Sequence, residues 1–203
     1  MLTKNIMMAD PTKMKGLKMK KIAIFVLVIM AGTLFAQTEE QLQAYNDYMT
    51  PGPPHQILGQ MAGEWNYEMK LYMEPGKEPL LATGNAYGVS IYDGRYLNLT
   101  HDGISFGMPF QATQIFGFDR VKDDYISFWI DNMGTGFLIA SGKLDTATQT
   151  IEMKGTFSEP MTKTDAGFRC VQKLVDNNHF IMQLFVTFGG AEHITWETAY
   201  TRK

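Results

Sequence analysis

The chain is poor in what most catalytic and metal sites require. It has one cysteine, Cys170, so it forms no internal disulfide and no cysteine metal cluster. Its four histidines, His55, His101, His179 and His193, stand singly, with no His-x-His pair to set two imidazoles on one strand face. No Gly-x-Ser-x-Gly elbow, His-Glu-x-x-His helix or phosphate loop is present. The body of the chain carries no cluster of lysine and arginine, and 18 basic against 21 acidic residues leave a net charge of −3. That excludes the electrostatic footprint of a nucleic-acid partner. Charge is sparse, yet 45% of the 203 residues are hydrophobic, enough for one folded domain and too much for a disordered chain. Nineteen glycines and 12% aromatics lean toward β-structure.

The N-terminus reads as an address. Lys15, Lys18, Lys20 and Lys21 precede an uncharged apolar run from Ile22 to Phe35, and Ala36 supplies a small residue at a cleavage position before Gln37. The run is shorter than the ~20 residues a membrane anchor needs, so residues 1–36 are expected to be a signal peptide. No cysteine follows it to take a lipid. Cleavage removes six lysines and Asp10, leaving 12 basic and 20 acidic residues, a net of −8. The expectation is an exported protein, periplasmic or secreted, with no stable membrane insertion afterwards.

Residues 37–62 read as a helical segment. Leu42, Tyr45 and Met49 share a helical face behind Thr38, with Gln41 three residues on as a capping partner. Pro51-Gly52-Pro53-Pro54 breaks this helix, and a second turn is expected from about His55 to Ala62. From Gly63 the period becomes two. Trp65, Tyr67, Met69, Leu71 and Met73 alternate with Glu64, Asn66, Glu68 and Lys70. Nine turn signals separate ten strands: Pro75-Gly76, Asp93-Gly94, Asp102-Gly103, Lys122-Asp123, Gly134-Thr135-Gly136, Asp145 to Thr148, Glu159 to Gly167, Asp176-Asn177-Asn178 and Gly189-Gly190. Asp93-Gly94 suits a two-residue hairpin. Connections this short cannot carry parallel crossovers. The pattern therefore predicts, over residues 63–203, an all-β, closed, antiparallel up-and-down barrel of about ten strands, with a two-sheet sandwich as the alternative.

Gly63-Glu64-Trp65 at the start of the first strand, with Arg202 near the end of the last, resembles the opening and closing of lipocalins and other calycins. A fuller resemblance covers residues 51–203 and is to a bacterial family, domain of unknown function 1579. Its elements run in order through Pro51-Gly52-Pro53, Gly63-Glu64-Trp65, Pro75-Gly76, Asp93-Gly94-Arg95-Tyr96-Leu97, Gly107-Met108-Pro109-Phe110 and Gly117-Phe118-Asp119. They continue with Trp129-Ile130-Asp131-Asn132-Met133 and Tyr200-Thr201-Arg202. The chain departs from the pattern at Phe118, where tyrosine is usual, and at Trp196, where a smaller apolar residue is. The resemblance implies a calycin-like barrel and brings no established activity. Some calycins hold haem through one barrel histidine, which here would be His101, His179 or His193. Each reads more simply as a rim or turn residue, and no cofactor or metal is expected.

The strongest local constellation is Tyr125, Ser127, Trp129, Asp131 and Met133, which period-two spacing sets on one strand face. An aromatic, a carboxylate and a thioether together suit an amphipathic ligand. Arg169 and Glu197 are candidates to join them, paired if both face inward, because a buried charge needs a partner. Gln114 and Gln183 sit amid apolar neighbours, and Arg95 adjoins a turn. Gly63, Trp65 and Arg202 are expected to be structural, with the Arg202 guanidinium over the Trp65 ring. The leading expectation is a barrel binding a small apolar or amphipathic, lipid-like molecule. The alternatives are an interaction barrel with a filled core and an enzyme using Asp131 or Glu197 as base.

Overall fold

A computed structural model describes residues 38–74 and 76–203. The expected signal peptide, its cleavage site and Pro75 lie outside the described residues. The chain divides by its contacts after Asn46, and residues from Asp47 onward form one unit.

Helix α1 (Glu39–Met49) begins as its sequence dictates. The Gln41 backbone N–H donates to Thr38 Oγ1 at 3.1 Å, and the Thr38 N–H donates to Gln41 Oε1 at 3.0 Å, a reciprocal cap. Its face of Leu42, Tyr45 and Met49 is exposed. Helix α2 (Pro53–Gly59) starts two residues earlier than the proline-based boundary at His55. Proline lacks an N–H that the first helical turn leaves unpaired anyway, so Pro53 and Pro54 begin a helix here. His55 Nδ1 accepts the Gly52 N–H at 3.0 Å and closes that turn.

Ten strands follow: β1 (Gly63–Leu71), β2 (Leu80–Ile91), β3 (Tyr96–Ser105), β4 (Met108–Asp119), β5 (Asp124–Asp131), β6 (Leu138–Asp145), β7 (Thr150–Glu159), β8 (Thr164–Asp176), β9 (His179–Phe188) and β10 (Ala191–Arg202). Each pairs antiparallel with its chain neighbour, and β1 pairs with β10 from Trp65↔Arg202 to Leu71↔Trp196. The sheet is a closed barrel, and the sandwich alternative falls away.

Three turn expectations need correction. The turn after Glu159 ends at Lys163, and Thr164 to Gly167 already belong to β8. Asp102-Gly103 lies inside β3, and the chain reverses at Phe106-Gly107, both at positive φ. Gly103 pairs instead with Gly84 on β2, and the Tyr67 ring occupies the room that the two missing side chains leave. The Asp93-Gly94 reversal is longer than two residues, because Ile91 pairs with Tyr96 and Tyr92, Asp93 and Gly94 all take positive φ.

One end of the barrel is plugged. Leu58 and Met61 are buried there, and Trp65 Nε1 donates to the Met61 carbonyl at 3.0 Å. Arg202 lies over Trp65 with its guanidinium carbon 4.0 Å from the ring centre, and it donates to the carbonyls of Gln60, Ala62 and Asn177 at 2.8 Å each. Gly63, at φ 120°, leaves space that the guanidinium fills. The opposite end, here called the mouth, carries the turns after β1, β3, β5, β7 and β9.

Candidate functional site

Alternate residues of the ten strands face inward and build an interior that is aromatic, sulfur-bearing and sparsely polar. Tyr125, Ser127 and Trp129 point into it from β5, as their period predicts, and all three are buried. Asp131 stands half-buried at the mouth, where its carboxylate accepts the Trp129 indole N–H at 2.7 Å and the Met133 N–H at 2.9 Å. It fixes the ring and caps the turn. Met133 lies beyond the end of β5 and is exposed, so the period of two does not carry it inward.

Arg169 and Glu197 lie on the outer face and do not meet. Arg169 stacks 4.0 Å from the centre of the Phe185 ring and donates through Nε to Glu192 at 2.9 Å. Glu197 accepts from Gln183 at 2.7 Å and lies 3.6 Å from the Lys70 ammonium. The reason is strand parity. On β8, buried Phe168 and Gln172 face inward with Cys170 between them, leaving Arg169 outside. On β10, buried Thr198 and Tyr200 leave Glu197 outside. A carboxylate base inside the barrel is therefore not formed by Glu197, and Asp131 is held by two donors at the rim.

His101 is a core residue rather than a rim one. It is 3% exposed, its Nε2 is 2.8 Å from the Tyr200 hydroxyl, and its ring lies 5.2 Å from Trp129 and 5.7 Å from Tyr67. Burial pushes its pKa down to about 4, so the ring is neutral at ordinary pH. Burial also pushes Tyr67 and Tyr125 up to about 12, and Tyr200 higher. His179 opens β9 and binds Asp176, and His193 is half-buried on β10.

At mid-barrel lies a cavity of about 20 Å³, lined among others by Gln114, Ser127, Cys170, Gln172 and Met182. Trp129, Leu138 and Trp196 border it toward the mouth, the two indoles 5.2 Å apart. Gln114 donates from Nε2 to Ser127 Oγ at 2.8 Å, which leaves its Oε1 free. Gln172 is 1% exposed, and neither atom of its amide finds a partner among the described residues. Burial pushes the Cys170 thiol, on the same wall, up to about 12.

Gln172 escaped the sequence reading, which placed His101 at a rim or turn and gave Cys170 no part in the site. Their signal was there: Phe168, Cys170, Gln172 and Leu174 recur at period two, as do Leu97, Leu99 and His101. A polar residue at a core position of such a run is the informative one. Gln183, by contrast, faces outward to Glu197.

Among the described residues, no group of three histidine, cysteine or carboxylate side chains could hold a metal ion. No described helix is long and apolar enough to cross a membrane, which leaves strands untested in that respect.

Fold and interior together define a closed ten-stranded antiparallel barrel with a nearly filled core. The profile of the family described as "Protein of unknown function (DUF1579)" matches residues 50–202, and the chain belongs to that family. No curated protein matches it. The crystal structure of Rv2717c from M. tuberculosis is similar, with a TM-score of 0.55 and 14% identity over 76% of this chain and 99% of the other. At that identity the likeness concerns the fold alone.

Proposed function

We propose that the barrel binds a small amphipathic molecule, its polar head at the Gln114–Gln172 cavity and its apolar part toward the mouth. One observation carries this reading: three amide atoms, buried and unpaired, border one cavity in a mainly apolar interior. A buried unpaired polar atom costs roughly 1–3 kcal/mol, so a sequence that keeps three of them has a use for them. Apolar side chains on the mouth turns support an approach from that end. Met73, Phe106, Met133, Phe137 and Met161 are exposed on four of the five turns, and exposed Phe188 ends β9 beside the fifth. The cavity as it stands has the size of one water molecule or of a head group's first atoms. A longer chain enters only if half-buried Leu138 and Trp196 swing aside.

The small volume favours a second reading, an interaction barrel whose core is simply filled. Titration with phenylnaphthylamine, an uncharged dye that brightens in apolar surroundings, separates the two. Ligand binding predicts saturable brightening, reversed by short-chain amphiphiles and accompanied by a change in Trp129 and Trp196 emission. Absence of saturable binding across such a series leaves the filled core as the reading.

Export is proposed with it, on the basic stretch around Lys15–Lys21 and the apolar run to Ala36. Intact mass of protein recovered from the periplasm or medium is expected to begin at Gln37. A product still carrying Lys20 and Lys21 overturns this.

A further inference from the structure

We infer that the head group this interior accepts is uncharged and both donates and accepts hydrogen bonds, as an amide or an alcohol does, and that carboxylates and ammonium groups are turned away. This rests on the ligand-binding reading above and narrows it to a chemical class.

The first argument is hydrogen-bond complementarity. The Gln172 amide offers two N–H donors and a carbonyl acceptor, all unused, and Gln114 offers a second acceptor, Oε1. Gln114 donates to Ser127 Oγ from Nε2, and Oε1 is the amide atom left without a partner. A primary amide or a hydroxyl meets such a site with a proton for one acceptor and an oxygen for the donor. A carboxylate brings acceptors only. It would satisfy the Gln172 N–H groups and set its oxygens against two carbonyl oxygens.

The second argument is charge. Among the described residues, no lysine or arginine lines the cavity. The nearest such candidate by strand, Arg169, is on the outer face and committed to Glu192 and Glu152. The ionisable groups that face inward below the mouth, His101, Cys170 and the tyrosines, are neutral at ordinary pH. An anion inside would be uncompensated, which is prohibitive in apolar surroundings. An ammonium group fares no better, because no carboxylate lines the cavity. The inward carboxylates stand at the mouth. Asp131 is held by Trp129 and Met133, and Glu159 accepts from the backbone N–H groups of Met161 and Thr162. Together they oppose the approach of an anion from that end.

The experiment compares four eight-carbon probes on the same protein at pH about 8: octanamide, octanol, octanoate and octylammonium. Displacement of phenylnaphthylamine is read beside the ligand-induced rise in Tm. Octanamide and octanol are expected to bind, and the two ions to bind about a hundredfold more weakly or not at all. Gln172→Leu, close in volume, is expected to cut octanamide affinity about tenfold or more while dye binding persists. Gln114→Met, which removes the Oε1 acceptor together with the bond to Ser127, moves it in the same direction. Octanoate binding as tightly as octanamide overturns the inference and leaves the ligand-binding reading intact. Octanamide affinity unchanged in both variants does the same. If none of the four probes displaces the dye and the dye itself does not saturate, the ligand-binding reading fails first and this inference with it.

Discussion

Arg202 and Trp65 lock the first strand to the last: the guanidinium carbon lies over the indole ring while the guanidinium N–H groups reach three backbone carbonyls. Arg202→Ala removes the stack and leaves those carbonyls to water. A loss of roughly 2–3 kcal/mol is expected, read as a lower midpoint in urea. Arg202→Lys keeps the charge but not the planar fork, and should recover less than half. Affinity for the neutral dye should be unchanged in both, since the cavity lies toward the other end. An Arg202→Ala midpoint equal to the parent's shows the contact to be ornamental.

The buried imidazole gives the fold an acid sensitivity with a defined sign. His101 titrates near 4 when folded against an ordinary 6.5, so below that ordinary value the unfolded chain takes up a proton the native state refuses. Stability should be level above pH ~6.5, fall as the pH drops toward ~4, and level off below, with about 3 kcal/mol lost from this group. His101→Gln retains a partner for the Tyr200 hydroxyl and should flatten that limb relative to the parent. Parallel pH–stability curves for the two proteins would contradict the assignment.

Cys170 is expected to be inert in the native state. Cys170 is half-buried on the cavity wall, and desolvation there holds its thiol protonated. An aromatic disulfide reagent should label it only at the rate of local or global opening, and fully in denaturant. Labelling in seconds without denaturant would mean that the cavity is already open to solvent.

Tyr67 carries a hydroxyl with no partner, wedged between the Gly84 and Gly103 backbones. Tyr67→Phe should therefore be neutral or stabilising by up to about 1 kcal/mol. Gly103→Ala forces a Cβ against that hydroxyl and against the β2 backbone, and should destabilise by roughly 1–3 kcal/mol. A clear loss of Tm in Tyr67→Phe would point to a bonded hydroxyl.

The barrel was legible because alternation and turn residues act locally and leave their mark in sequence. The Thr38–Gln41 cap and the inward face of Tyr125, Ser127 and Trp129 follow from spacing alone. What spacing does not carry is the end of a strand or a change of parity. Met133 lies two residues past the end of β5, so its period leads nowhere. On β10 a bulge between Ile194 and Trp196 shifts the register, so that the outer face carries Glu192 and Ile194 before it and Glu197 after it. Nothing in Ile194-Thr195-Trp196 announces that shift, and Arg169 consequently finds Glu192 rather than Glu197. The Asp102-Gly103 pair misled for a related reason. Glycine marks turns and close approaches alike, and here it marks the space that a tyrosine ring from β1 needs.

Closure of β1 on β10 has a consequence for how the chain comes to be folded. The Arg202–Ala62 bond joins residues 140 apart, whereas the nine hairpins join neighbours. Hairpins can therefore zip early, each on its own, while the seam waits for the last dozen residues. Until then the curled sheet presents two bare edges, one of them the apolar-faced β1. A chain that stops short of β10 keeps those edges for good. Premature termination in this protein should thus surface as aggregation rather than as a smaller working barrel.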